Sequence, residues 1–264
     1  MRKSSLLILL IPILFSIHLF SYESIISAAP NITESLIYLG QKDKLAGRTD
    51  YCDFPGLSHI PVAGSYTSLN FEEVLRINPD IVIFSGNLTD NEALFLENQG
   101  IDYIDIPMED YRTVHEGMEY LSEITDADRG VNIEPAADSL IELFNRAECS
   151  VYIEISNNPL MAATEHSYAG SILKAAGFDI MTPSAGPYST VSQELIIDYN
   201  PDIIIVMSKD HDISSRMGWT HIEAVKKNRI IYSTDSEIDA LSRPGPRLLE
   251  AIDILRGYIE SIED

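Results

Sequence analysis

The apolar positions of this chain fall into short runs separated by longer amphipathic stretches, an alternation of strand and helix signals. Residues 24–28 form a short apolar run that predicts a buried strand. Pro30-Asn31-Ile32-Thr33-Glu34 follows as a turn into a helix ending at Gly40, with polar side chains placed to cap its first turn. Residues 60–63 predict a short strand. In Asn70-Phe71-Glu72-Glu73 an N-capping Asn precedes two carboxylates in the first turn, where the helix dipole favours them. That helix stops before Pro79, and residues 81–84 and 101–106 predict the next strands. Residues 111–124 and 133–147 predict helices joined by a polar stretch, with Leu140, Ile141, Leu143 and Phe144 as an apolar stripe on the second. Residues 151–155 predict the strand that opens a second half.

The second half repeats part of the first. Asn78-Pro79-Asp80-Ile81-Val82-Ile83 recurs 122 positions downstream as Asn200-Pro201-Asp202-Ile203-Ile204-Ile205. The same offset carries Glu72 onto Glu194 and Asn70 onto Ser192, another good N-cap. Upstream, Ser35-Leu36-Ile37 before Gly40 resembles Ser171-Ile172-Leu173 before Gly177. Copies this far apart do not stack as a solenoid. They predict an α/β protein of two related lobes: residues 22–109, a linking helical segment at 110–148, and residues 149–264.

Composition narrows the function. The 264 residues are 45% hydrophobic and 22% charged, proportions that allow a substantial core. Asp and Glu number 41 against 18 Lys and Arg, for a net charge of −23. With no cluster of basic residues, a nucleic-acid partner is excluded; a solvated surface tuned for solubility is the simplest account of the acidity. Arg2, Lys3 and the apolar residues 6–20 read as an export signal within residues 1–21, cleaved near Ser21. The run reaches only about 22 Å as a helix, short of the roughly 30 Å hydrocarbon core. No Cys follows it, which excludes a lipoprotein anchor, while an uncleaved tether stays open. Cys52 and Cys149 are the only cysteines, and their pairing is also open.

Catalytic signatures are absent: no G-x-S-x-G, H-E-x-x-H, Walker A or G-x-G-x-x-G occurs. His59, His115, His166, His211 and His221 form no metal-ligand pattern, so no metal site is expected. The Asn-x-Thr triplets at Asn31 and Asn87 read as accidental glycosylation matches. A binding protein is expected, not an enzyme.

Several short motifs occur in a telling order: Ala29-Pro30-Asn31-Ile32-Thr33-Glu34, the stretch Gly47-Arg48-Thr49-Asp50-Tyr51-Cys52-Asp53-Phe54-Pro55, Gly64-Ser65-Tyr66, Asn70-Phe71-Glu72, Pro187-Tyr188, Val191-Ser192-Gln193-Glu194 and Ser242-Arg243-Pro244-Gly245-Pro246-Arg247. In these the chain resembles the periplasmic binding proteins for cobalamin, ferric siderophores and haem, over nearly all of its length from residue 24. The resemblance implies two doubly wound, Rossmann-like lobes joined by a bridging α-helix, with the ligand in the cleft between them. The bridge reads as shorter than is usual for the family. On this basis the expected ligand is a cobalt corrinoid, with a ferric siderophore or haem, or a directly bound metal ion, as alternatives, and no cofactor is expected.

A flat chelate needs aromatic faces and a few orienting polar groups. Tyr51, Tyr66 and Tyr188 match the cleft aromatics of the cobalamin binders. Trp219, the sole tryptophan, is either a further cleft residue or a core anchor. Pro30, Asn31 and Thr33 lie where the first strand meets its helix, the end of an α/β sheet where ligands gather. Asp235 and Arg243 are further candidates, and Arg243 would pair either with an anionic ligand group or with a structural carboxylate. Glu72 and Glu194 match the glutamate pair with which the family docks on a permease dimer carrying ATPase subunits. The protein is expected as an exported monomer, in the periplasm or on the outer face of the membrane, touching the membrane only through the permease or an uncleaved anchor.

Overall fold

In the computed structural model, which describes residues 21–128, 134–142, 149–208, 213 and 215–262, the chain forms two six-stranded sheets. The first takes β1 (Ile25–Ser27), β2 (Leu45–Thr49), β3 (Val62–Ser65), β4 (Ser68–Leu69), β5 (Ile81–Phe84) and β6 (Asp102–Asp105), in the order β4-β3-β2-β1-β5-β6. Every pairing is parallel except β3 with β4. Helices α1 (Pro30–Tyr38), α2 (Phe71–Ile77) and α3 (Asp90–Gln99) connect the strands. The chain builds outward from β1 through β2 and β3, then returns to set β5 on the other flank of β1. Such a reversal opens a crevice outside the carboxyl ends of those two strands.

Helices α4 (Tyr111–Ile124) and α5 (Glu134–Glu142) lead to the second sheet. It contains β7 (Ser150–Asn157), β8 (Leu160–Ala163), β9 (Asp179–Ile180), β10 (Tyr188–Thr190), β11 (Ile203–Val206) and β12 (Ile230–Tyr232). Its order is β10-β8-β7-β11-β12, with β9 beside the first residues of β7. Strands β7, β11 and β12 are parallel, but β8 folds back on β7 as a hairpin and β10 pairs antiparallel with β8. Around it lie α6 (Tyr168–Ala175), α7 (Gln193–Tyr199), α8 (Glu223–Lys226), α9 (Asp235–Ser242) and α10 (Leu248–Ser261). The halves therefore share their helix–strand unit and not every strand of the sheet.

The repeat has a local physical cause. Asn78 and Asn200 end α2 and α7 in the left-handed region, at φ 53° and 50°, where Asn is tolerated better than most residues. The following Pro prevents the helix from continuing. Asp80 then accepts hydrogen bonds from the Glu23 and Ser24 amides, and Asp202 from the amide and hydroxyl of Ser150. Each aspartate so clasps the start of its lobe's first strand to the start of the next. The runs Ile81–Phe84 and Ile203–Val206 are buried at every position, as parallel strands covered on both faces must be.

Strand periodicity sends alternate residues to opposite faces. Ile25, Ile83, Val151, Ile153 and Ile205 enter one hydrophobic cluster that also takes Val114 and Met118 of α4, Ile141 of α5 and Leu255 of α10. Their neighbours Ile26 and Val82 pack on the other face of the first sheet, and Tyr152, Ile204 and Val206 on the other face of the second. The two lobes thus share a core through the helical link, which is two helices and not one strut. Helix α4 touches both α1 and α6, and α5 packs along α10. Residues 143–148 of the second linking helix, with Leu143 and Phe144, lie outside the described residues, as do residues 1–20 of the signal. No described helix is long and apolar enough to cross a membrane.

Trp219 belongs to the core of the second lobe and not to the cleft. It is fully buried, packs edge-on against Tyr152 at 6.2 Å, and carries the Arg216 guanidinium 4.6 Å from its ring. Arg216 in turn binds Glu154, a fully buried carboxylate on β7 that also accepts a hydrogen bond from Ser208. A large aromatic ring under a buried ion pair supports the fold. Replacing Trp219 by Ala is expected to lower unfolding free energy by about 3–5 kcal/mol in urea titrations; a loss below about 1 kcal/mol would contradict this placement. Asp202→Ala and Asp80→Ala should each cost about 0.5–1.5 kcal/mol, since each removes the hydrogen bonds that pin the start of a strand. Melting temperatures unchanged in both variants would remove the clasp.

Candidate functional site

The crevice at the reversal of the first sheet widens into a cavity of about 1020 Å³ between the lobes. Its first-lobe wall comes from strand ends. Pro30 and Asn31 follow β1, Asp50 and Tyr51 follow β2, Tyr66 follows β3, and Ser85-Gly86-Asn87 follows β5. The opposite wall brings Ile155 and Met161 of the β7–β8 hairpin, Pro187 and Tyr188 at the start of β10, and Ile238, Asp239 and Arg243 of α9 and its end.

Three of the predicted aromatics meet there, each presented by a tight turn. Tyr66 occupies the two-residue loop between β3 and β4. The turn needs Gly64 at φ +150°, where a Cβ would lie 2.5 Å from the Ser68 carbonyl. Tyr51 stands on a loop gripped from beneath by Arg48, which donates to the carbonyls of Thr49, Cys52 and Leu57. Tyr188 follows a segment held by Thr164, whose amide and hydroxyl donate to Pro187 and Gly186. All three rings keep large exposed areas: 62% for Tyr51, 40% for Tyr66 and 47% for Tyr188.

Tyr66 and Tyr188 come from opposite lobes and sense one another. The Tyr188 phenol is pushed up to about 12, first by burial between the walls and then by Tyr66 and Glu109. Tyr66 is raised by burial, Glu109 and Asp105. Both hydroxyls keep their protons at any physiological pH, so each ring offers a neutral face and a donor.

The polar predictions divide. Asn31 reaches the cavity wall, donating from Nδ2 to Ser85 at 2.8 Å. Thr33 does not: it is fully buried, donates to Ser27 and lies 3.0 Å from the Cys52 thiol. Its task is to seat Cys52, which Thr49 also contacts, beneath the Tyr51 loop. Both cysteines are unbridged, Cys52 in the first lobe and Cys149 at the start of the second. Asp235 lines a smaller adjoining hollow of about 480 Å³, which shares Ile155, Ile238 and Asp239 with the cavity.

Arg243 lines the cavity, yet it is already engaged. Its Nη2 lies 3.1 Å from Asp53 of the first lobe and 3.0 Å from Asp239, and the guanidinium covers the Phe54 ring at 5.0 Å. Among the described residues lining the cavity it is the one cation, facing Asp50, Glu109 and Asp239. Beneath the junction, Arg247 meets Glu34 of α1 at 2.6 Å. Burial raises the Glu34 carboxyl even against the pull of that guanidinium. Gly245 lets this loop press on α1, since a Cβ there would lie 3.2 Å from Ser35 Oγ.

Two wall elements escaped the sequence reading. Asn87 accepts from the Ser85 amide and donates to the carbonyls of Ala28 and Tyr66, so it stitches three loop ends together. Glu109 sits against Gly86, which stands at φ +72°. The signal was available for Asn87, because it follows the strand flanking β1 at the reversal. Glu72 and Glu194 lie away from the cavity, exposed in the first turns of α2 and α7, capped by Asn70 and Ser192. Hydrogen bonds from its own amide and Ser192 lower the Glu194 carboxyl. Among the described residues no three His, Cys, Asp or Glu side chains gather as metal ligands, and His211 lies outside them.

Comparisons with known proteins agree with this architecture. A vitamin B12-binding protein of Vibrio vulnificus (strain CMCP6) is 24% identical over 265 residues, 95% of this chain and 96% of its own. An uncharacterized ABC transporter substrate-binding lipoprotein of Bacillus subtilis (strain 168) is 25% identical over 88% of this chain and 78% of its own. The crystal structure of the periplasmic vitamin B12-binding protein of Vibrio cholerae superposes with a TM-score of 0.78 at 22% identity, covering 93% of this chain and 99% of that one. The periplasmic binding protein model matches residues 25–237. The chain therefore belongs to the periplasmic binding protein family.

Proposed function

We propose that this protein captures a corrinoid outside the cytoplasm and delivers it to an ABC permease. The observation that carries the choice of ligand is the lining of the cavity. At about 1020 Å³ it is the size of a macrocycle and not of a bare ion. Tyrosine rings stand on both lobes, and the single cation, Arg243, is neutralised by two carboxylates. A corrin fringed with amides suits such walls: the rings take its faces, and carboxylates and carbonyls take its N–H groups. Haem, with two propionates, and anionic ferric siderophores call for free cations that the described walls do not offer.

Glu72 and Glu194 are the docking residues in this reading. Each is an exposed carboxylate at the start of an equivalent helix, one on each lobe, and makes no ion pair among the described residues. Two like charges held on rigid elements can register a two-lobed protein on a two-fold partner. The chain acts as a monomer that binds and releases without chemistry. It works in the periplasm or at the outer face of the membrane.

Tyr66→Ala combined with Tyr188→Ala should weaken cyanocobalamin binding at least tenfold in calorimetry, about 1.4 kcal/mol or more. Unchanged affinity would refute the aromatic grip, and preference for haemin in the unaltered protein would replace the corrinoid. Glu72→Ala with Glu194→Ala should leave solution affinity intact and reduce uptake in cells. Normal uptake by that variant would remove the docking role.

A further inference from the structure

Arg243 is mostly buried, with 13% of its side chain exposed, whereas Asp53 and Asp239 keep 70% and 44%. A guanidinium in that position needs a partner, and here it has two carboxylates and an aromatic face. One partner comes from each lobe, so the arrangement is fixed by the shared core and not by one flexible loop. The resulting group carries a net charge of −1 at the boundary between the cavity and the adjoining hollow. That hollow is lined by Asp53, Asp235 and Asp239 and by no cation among the described residues. A single carboxylate would have sufficed to satisfy the guanidinium. The second turns a wall that would attract anions into one that repels them, and specificity often rests on such a repulsive element.

We infer that Asp53 and Asp239 form a charge filter: by holding Arg243 between them they withhold the cleft's cation from ligand carboxylates and select chelates fringed with neutral hydrogen-bond donors. The filter deepens the corrinoid reading, resting on the same cavity. It assigns a specificity role to two acids, one of them on the lobe opposite Arg243. A plain structural clamp would make the opposite prediction on ligand choice, because loosening it would weaken every ligand alike.

The experiment uses full-length protein and probes that share a ring. Dicyanocobinamide carries amides, dicyanocobyrinic acid carries carboxylates on the same corrin, and ferric protoporphyrin IX carries two propionates. Affinities are measured by visible absorption titration for the wild type, for Asp53→Asn with Asp239→Asn, and for that pair combined with Arg243→Gln, each checked for folding by thermal melting. The wild type should favour dicyanocobinamide over dicyanocobyrinic acid at least tenfold. The double variant should gain at least tenfold for both carboxylate probes while dicyanocobinamide, which loses an acceptor at Asp239, gains nothing, and the triple variant should lose that gain. No gain in the double variant overturns the filter, and so does a gain that survives loss of Arg243. The corrinoid reading fails separately, if the wild type does not bind dicyanocobinamide. In that case ferric protoporphyrin IX still decides the filter by the same comparison.

Discussion

The cleft depends on how the two lobes are fastened together beneath it. Residues from both sheets enter one hydrophobic cluster through α4, α5 and α10. The Glu34–Arg247 pair adds a partly buried charge contact between α1 and the loop before α10. Breaking a pair of this kind strands a charge away from water, which costs more than the pair contributes when whole. Rotation of one lobe would expose packed leucine and isoleucine surface as well. The walls are therefore set at a nearly constant distance. The ligand is selected by what lines that gap, with little contribution from wide hinge closure.

Within this frame the electrostatics are uneven. The surface as a whole is strongly acidic, while the cavity mixes neutral phenols with Asp50, Glu109 and Asp239 around one described cation, Arg243. Tyr66 and Tyr188 retain their protons because burial and nearby carboxylates oppose ionisation. Its arginine is matched by two aspartates. An acidic, hydrogen-bonding interior inside an anionic shell steers small anions away from the protein and leaves shape and stacking to decide among the rest.

Much of this was legible in the sequence because it is local. The Asn-Pro-Asp repeat marks a left-handed cap, a helix stop and a strand clasp, and all three are consequences of neighbouring residues. Tyr51, Tyr66 and Tyr188 could be placed because each sits among turn-forming residues where a large ring has little else to pack against. What the sequence left open is long-range. Trp219 also lies near glycine in a loop, but Tyr152 and Arg216 arrive from elsewhere to enclose it. Thr33 lies near the start of α1, shortly after β1 ends, yet its side chain turns to a cysteine nineteen positions on. The engagement of Arg243 by Asp53 spans 190 positions and follows from no local pattern. Nor could strand signals reveal that β8 runs antiparallel, since residue types within a short apolar run do not encode direction.

Asn87 deserves a last consequence. Its amide group holds the end of β1, the tip carrying Tyr66 and the turn after β5 with all of its hydrogen-bonding atoms in use. Those three segments cannot shift independently. The first lobe thus meets its cargo as a single stiff lip, already ordered before contact, so capture forfeits little chain freedom on that side.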